Sequence, residues 1–224
     1  MSRALAVRWA IVFAGMAILA YGLAMTVSTP WGVSPWDVFH LGIAGRTSLT
    51  LGQAAQATGL VVLGAAWVIR RRYVTAVSLA NALFIGFMID IFRENGYVPY
   101  VNGWLGLVYL ECGIAVFAAG MALYLAPGMG AGPRDALMMS LAEALRRPPG
   151  TIRIALDLAA VSVGAALGGP VGAGTLIAAL TLGPWVQLLL KPATRLSRAL
   201  EQRFQRGSEG STPSRANRSA SRRQ

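Results

Sequence analysis

The chain is 224 residues long, 55% of them hydrophobic and only 13% charged, with a formal net charge of +11. That balance lies far from the soluble-domain average and argues against an ordinary soluble enzyme. Nine of the 20 Lys and Arg residues fall in 191–224 against two acids, so most of the excess charge is a tail and not a nucleic-acid footprint. With Cys112 and His40 each alone of its kind, the chain has no intrachain disulfide, no His/Cys metal centre and no soluble His-dependent triad.

A basic leader, residues 1–8 with Arg3 and Arg8, precedes an apolar run at 9–28. A secretory signal is the competing interpretation, but an h-region has ~7–15 apolar residues and this run is longer, so a retained membrane helix is expected. Further runs at 51–69, 74–92, 104–126, 151–167 and 171–190 make six predicted spans. With the N-terminus cytoplasmic, 18 Lys and Arg fall inside and only Arg46 and Arg93 outside. The positive-inside rule therefore predicts a multi-pass membrane protein with both termini cytoplasmic. Residues 191–206 repeat Leu196, Leu200 and Phe204 among Arg195, Arg198 and Arg203, the pattern of a basic amphipathic segment on the inner leaflet. Residues 207–224 are too polar to bury, so disorder is expected. A positive-inside anchor is the reading of this tail, RNA binding its alternative.

At an offset of 98 the chain matches itself. Residues 20–60 give ten identities, among them Gly22, Gly32, Pro35, Asp37 and Gly52, and with one residue deleted Leu83 and Gly86 match Leu180 and Gly183. Gly, Pro and Asp in register are not explained by shared Ala and Leu. The repeat predicts two halves, 9–92 and 104–190, joined by an outer connector at 93–103. Three spans per half is an odd number, so the second half enters the membrane inverted, as in many secondary transporters.

In the first half, Gly32, Ser34, Pro35 and Asp37 have the grammar of a helix start, with Ser34 as N-cap, Pro35 at the first helical position and Asp37 at the third. Gly130, Gly132, Pro133, Arg134 and Asp135 are the second copy. Each is expected to open a short non-spanning helix after the first span of its half. One role for Asp37 and Asp135 is capping alone; the other is to hold a cation, a substrate amine or a gate partner such as Arg134. Trp36 and Arg134 break the symmetry, as an aromatic lid at the outer mouth and a guanidinium at the inner one, although Trp36 also suits an interfacial anchor.

Polar residues inside a membrane are costly and therefore informative. Glu111 is the best single intramembrane candidate, and Asn81 lies at similar depth. Asp157 is set aside because Arg153 is one turn away, and Asp90 because it lies at the outer boundary near Arg93. Small-residue pairs such as Ala10 with Ala14 and Ala20 with Ala24 are read as internal packing sites, with docking of another membrane subunit as the alternative. Gly128-Met-Gly130-Ala-Gly132 lacks the Gly-Lys-Ser/Thr of a nucleotide loop.

Tyr21-Gly-Leu-Ala24, Gly32-Val-Ser-Pro-Trp-Asp37, Asn81-Ala-Leu-x-Ile-Gly86, Gly130-Ala-Gly-Pro-Arg-Asp135 and Gly172-x-Gly174-Thr175 together resemble the YczE/YyaS/YitT family of bacterial integral membrane proteins. The resemblance covers about residues 10–190, with the basic Ser/Arg tail outside it, and it implies a polytopic inner-membrane protein but no catalytic residues. The sequence thus predicts an all-α, six-span protein built as an inverted 3+3 repeat. Its expected role is small-solute transport without catalysis, metal or cofactor, through a site containing Gly32, Ser34, Pro35, Asp37, Asn81, Glu111, Gly130, Pro133, Arg134 and Asp135. A non-transporting scaffold or regulator and the substrate-capturing subunit of a larger importer are the rival roles. Its expected partners are the bilayer, an unknown small solute, and another membrane subunit or a second copy of the chain; nucleic acid is not expected.

Overall fold

A computed structural model describes residues 3–209, and within them every regular element is helical. The order is α1 (Arg3–Thr26), α2 (Pro35–Ala44), α3 (Leu51–Arg70), a single 3-10 turn (Arg71–Tyr73), α4 (Ala76–Glu94), α5 (Gly103–Leu125), α6 (Pro133–Leu145), α7 (Pro149–Ala166) and α8 (Ala173–Glu209). Six of these, α1, α3, α4, α5, α7 and α8, are long and apolar enough to cross a membrane. The short helices differ. At ~1.5 Å per residue, the 10 residues of α2 and 13 of α6 reach only about 15 and 20 Å, short of the ~30 Å hydrocarbon core.

The helix starts follow from local chemistry. Thr50 opens α3 with a reciprocal capping box: its hydroxyl accepts from the Gln53 N–H, and the Gln53 side chain accepts from the Thr50 N–H, each at 3.0 Å. Thr75 and Ser78 do the same for α4. Helices α2 and α6 begin with proline, which lacks the N–H that a first-turn residue cannot use. Ser34 is the N-cap of α2 as expected, but its hydroxyl does not cap the backbone; it donates instead to Asp37 Oδ2 at 2.5 Å.

Packing centres on α1 and α5, which run antiparallel and make the most extensive helix contact. Glycines allow this. Gly15 of α1 faces Gly120 and Tyr124 of α5, and Gly22 faces Gly113 and Phe117, so backbone meets backbone. Val12, Met16, Leu19 and Tyr124 fill the adjoining core with Val77 of α4. Helix α4 flanks α1, and α8 flanks α5, where Leu110, Ile114 and Ala118 meet Ala178 and Leu182. The short helices cross between halves: α2 lies on α7 and α6 on α3.

At one end of the bundle, basic residues meet acids. Arg70 at the end of α3 and Arg72 in the 3-10 turn after it pair with Glu143 of α6, and Arg8 of α1 pairs with Glu201 of α8 at 2.9 Å. Residues 191–206 are helical, as the amphipathic pattern suggested, and the side chains described there are mostly exposed. They continue α8 through Pro184 and Pro192, and Ser197 is buried. The Arg8–Glu201 pair ties this stretch to α1. Of the expected disordered tail, 207–209 belong to α8 and 210–224 lie outside the described residues.

Candidate functional site

A cavity of about 160 Å³ lies at the centre of the bundle, between the two short helices and the inner faces of α1, α3, α4 and α5. Leu19, Leu23, Ile85, Ile89, Phe117 and Met121 supply an apolar wall, and Ser34, Trp36, Asp37, His40, Asn81, Arg134, Asp135 and Arg153 a polar one. Each water needs about 10–15 Å³ by such a measure, so a small organic solute fits. Apolar walls with a few convergent polar groups are the usual composition of a small-molecule site.

Both copies of the repeated motif reach this one cavity. Their N-termini bring Trp36 and Arg134, which occupy matching places at the offset of 98, face to face, with the guanidinium 5.8 Å above the indole. The expectation of a Trp36 lid at one mouth and Arg134 at the other is therefore corrected. Short helices that dip into the bundle carry both residues to its middle.

Asp157 of α7 joins them. It accepts from the Trp36 indole N–H at 3.0 Å, pairs with Arg134 at 3.0 Å and lies 3.9 Å from Arg153. Arg134 is thus matched to Asp157, and not to Asp37 or Asp135 as a gate partner. Asp37, 3% exposed, is held by Ser34, with His40 Nδ1 at 3.5 Å. His40 Nδ1 is buried and makes no hydrogen bond, and the same holds for Thr58 Oγ1 beside the cavity on α3. Asp135 makes no ion pair within 4 Å among the described residues, although Arg134 and Arg153 act on it electrostatically. Unpaired buried polar atoms are uncommon in folded proteins.

The motif glycines hold the loops that carry these helices. Gly32 has φ +96°, where a side chain is strained, and faces Gly172 and Thr175 at the start of α8. Gly130, at φ +139°, faces Thr75 at the start of α4, and the Ser78 hydroxyl donates to the Ala131 carbonyl at 2.7 Å. Pro133 lines the cavity, as does Asn81, which lies against Gly132; Pro35 is buried at the start of α2.

Glu111 is elsewhere. It accepts from the Trp185 indole at 2.7 Å and from the Thr181 hydroxyl at 3.3 Å, fastening α5 to α8 away from the cavity. Its carboxylate is answered by side chains that no motif marks. Conversely, His40, Thr58, Arg153 and Asp157 were missed as site residues. For Asp157 the signal was present, because an acid one turn from Arg153 and an unpaired Arg134 at the motif centre invite a triad. Asp90 is structural, accepting from the Thr50 hydroxyl at 2.5 Å and the Gly52 N–H at 2.8 Å to tie α4 to α3.

Six apolar helices around a central cavity define a polytopic membrane protein of the all-α class. Residues 6–191 match a family of unknown function, DUF6198, and the chain belongs to that family. It is similar to the uncharacterized membrane protein YczE of Bacillus subtilis, 31% identical over 198 residues that cover 88% of this chain and 91% of the relative. An uncharacterized protein of Haemophilus influenzae is 29% identical over 186 residues, covering 83% of this chain and 84% of its own. The uncharacterized protein YyaS of Bacillus subtilis is 26% identical over 169 residues, 73% and 82% of the two chains. No solved structure matches.

Proposed function

We propose that the protein is a small-solute transporter of the bacterial inner membrane, built as an inverted 3+3 repeat, with both termini cytoplasmic and its site in the central cavity. The observation that carries this reading is the convergence of both motif copies, from sequence positions 98 apart, on one polar patch with apolar walls. Inverted-repeat transporters bind at the repeat interface, where helix N-termini face the solute.

The exchange of contacts between halves supports the symmetry. Gly15 faces Gly120 and Gly22 faces Gly113, so each glycine meets the repeat mate of the other, as a two-fold axis between α1 and α5 requires. The α2–α7 contact is likewise answered by α6–α3, and α1–α4 by α5–α8. The 18 to 2 division of Lys and Arg supports the orientation. The cavity suits a solute with one polar end and an apolar body. The solute is moved and not converted, and the partners of the reading are the bilayer and that solute.

Thermal unfolding of the purified protein against a panel of small metabolites tests this. A specific binder raises the midpoint by mass action, and Asp37→Asn with Asp135→Asn should abolish the rise in protein that still folds. If no compound stabilises the protein, or the double variant responds normally, the cavity is not the solute site.

A further inference from the structure

One pair of repeat mates breaks the symmetry. In the first half, Gly52 near the start of α3 lies directly on Gly86 of α4, and each would crowd the other's backbone if it carried a Cβ. Asp90 and Gln56 brace this seam: Asp90 takes the Thr50 hydroxyl and the Gly52 N–H, and Gln56 donates to the Leu83 carbonyl at 2.7 Å. The mates of these glycines in the second half are Gly150 of α7 and Gly183 of α8. A Cβ at either would meet nothing within 4 Å beyond its own stretch of helix, and α7 and α8 do not pack on one another.

The two helices are joined through 167–172, so they diverge from that turn toward the start of α7. The divergence opens at the end of the bundle where Arg70, Arg72 and Glu143 meet, because α7 follows α6 there by a short turn. Arg153, in the first turns of α7, lines the cavity. The α3–α4 seam begins at the opposite end of the bundle, beside Arg46. One seam is thus shut and latched, and its repeat mate stands apart with two glycines that meet nothing.

Resting on the transport reading, we infer that the α7–α8 opening is the solute's route on the basic face, and that it closes by bringing Gly150 onto Gly183 as Gly52 lies on Gly86. The α3–α4 seam opens in exchange. The latches differ in the direction such a cycle needs. Asp90 and Thr50 are replaced at matching positions by Gln187 and Pro148, so the closed second seam lacks the carboxylate and hydroxyl that brace the first. It is the weaker of the two, which accounts for the open second seam at rest.

Cysteine chemistry tests this in membrane vesicles. In a Cys112→Ser background, Gly150→Cys and Gly183→Cys fit the open space and should form a disulfide under mild oxidant, since Cβ atoms must come within about 4.5 Å to do so. A control pair on outward faces, Leu158→Cys with Leu180→Cys, should not. Adding Ala55→Cys in the cavity provides the readout. Its reaction with an impermeant thiol reagent from the basic face should fall roughly tenfold once the lock forms, reaction from the other face should appear, and reduction should reverse both. The inference is overturned if the folded double-cysteine protein never cross-links, or if the lock leaves Ala55→Cys labelling unchanged. Locking that switches the accessible face in a protein stabilised by no metabolite counts against the solute assignment and not against the gate.

Discussion

Replacing Gly22 by alanine adds one methyl where α1 and α5 leave no room. A Cβ there would stand 2.7 Å from the Gly113 carbonyl oxygen and 2.7 Å from the Phe117 Cα. Both are backbone atoms, and the Phe117 backbone nitrogen lies closer still, so no rotamer relieves the contact and the helices must part by at least about 0.8 Å to restore ordinary separations of ~3.5 Å. A gap of 0.5–1 Å forfeits roughly a quarter to a half of the dispersion attraction at each contact along the seam. Overpacking of this kind costs about 1–3 kcal/mol, and the better helix propensity of alanine returns up to about 1 kcal/mol. The net destabilisation is therefore about 1–2 kcal/mol, or several degrees in the midpoint at ~2–4 °C per kcal/mol for a chain of this size. Gly64→Ala in α3 is the control, since nothing lies within 4 Å of that position and only the propensity gain remains. Thermal unfolding in detergent, followed by tryptophan fluorescence, measures both. A wild-type midpoint for Gly22→Ala, or an equal loss for Gly64→Ala, would refute the backbone-contact argument.

Asp157→Asn should destabilise by less than the ~3–5 kcal/mol of a fully buried broken pair, because about a fifth to a third of the Asp157 and Arg134 side chains stays exposed. Adding Arg134→Gln should recover part of the loss if the pair acts as a unit, as a double-mutant cycle of midpoints will show. Glu111→Gln keeps an acceptor for the Trp185 indole, so ligand-dependent stabilisation should survive it; its loss would move the site from the cavity to the α5–α8 seam. The Tyr73 hydroxyl, with Arg72 and Arg70 beyond it, holds the Glu143 carboxyl below the usual carboxylate range. Its contribution is therefore full above the free value of ~4.3 and fades as pH falls through the lowered one. Melting curves from neutral to acid pH should show Glu143→Gln slightly below wild type at pH 7 and converging with it in acid; a constant difference would place the effect outside the ionised clamp.

Local signals carried most of the element plan. Apolar run length determined six spans, and Pro35 and Pro133 opened the two short helices. Each depends on neighbours in sequence: hydrophobicity over a window, a missing N–H. The Gly/Pro/Asp repeat also named most of the cavity's motif residues, because backbone geometry at positive φ restricts Gly32 and Gly130 wherever they lie in space. Partner choice was not local. Arg134 pairs with Asp157 and stacks on Trp36, Glu111 is absorbed by Trp185, and residues 191–206 are tied to α1 through Arg8. The energy of a charge inside a helix bundle depends on what the other helices bring within a few ångströms, and only tertiary packing decides that. The same holds for Gly52 and Gly150, alike in the repeat, one pressed on its neighbour and the other open, because the helices packed around each decide what it meets.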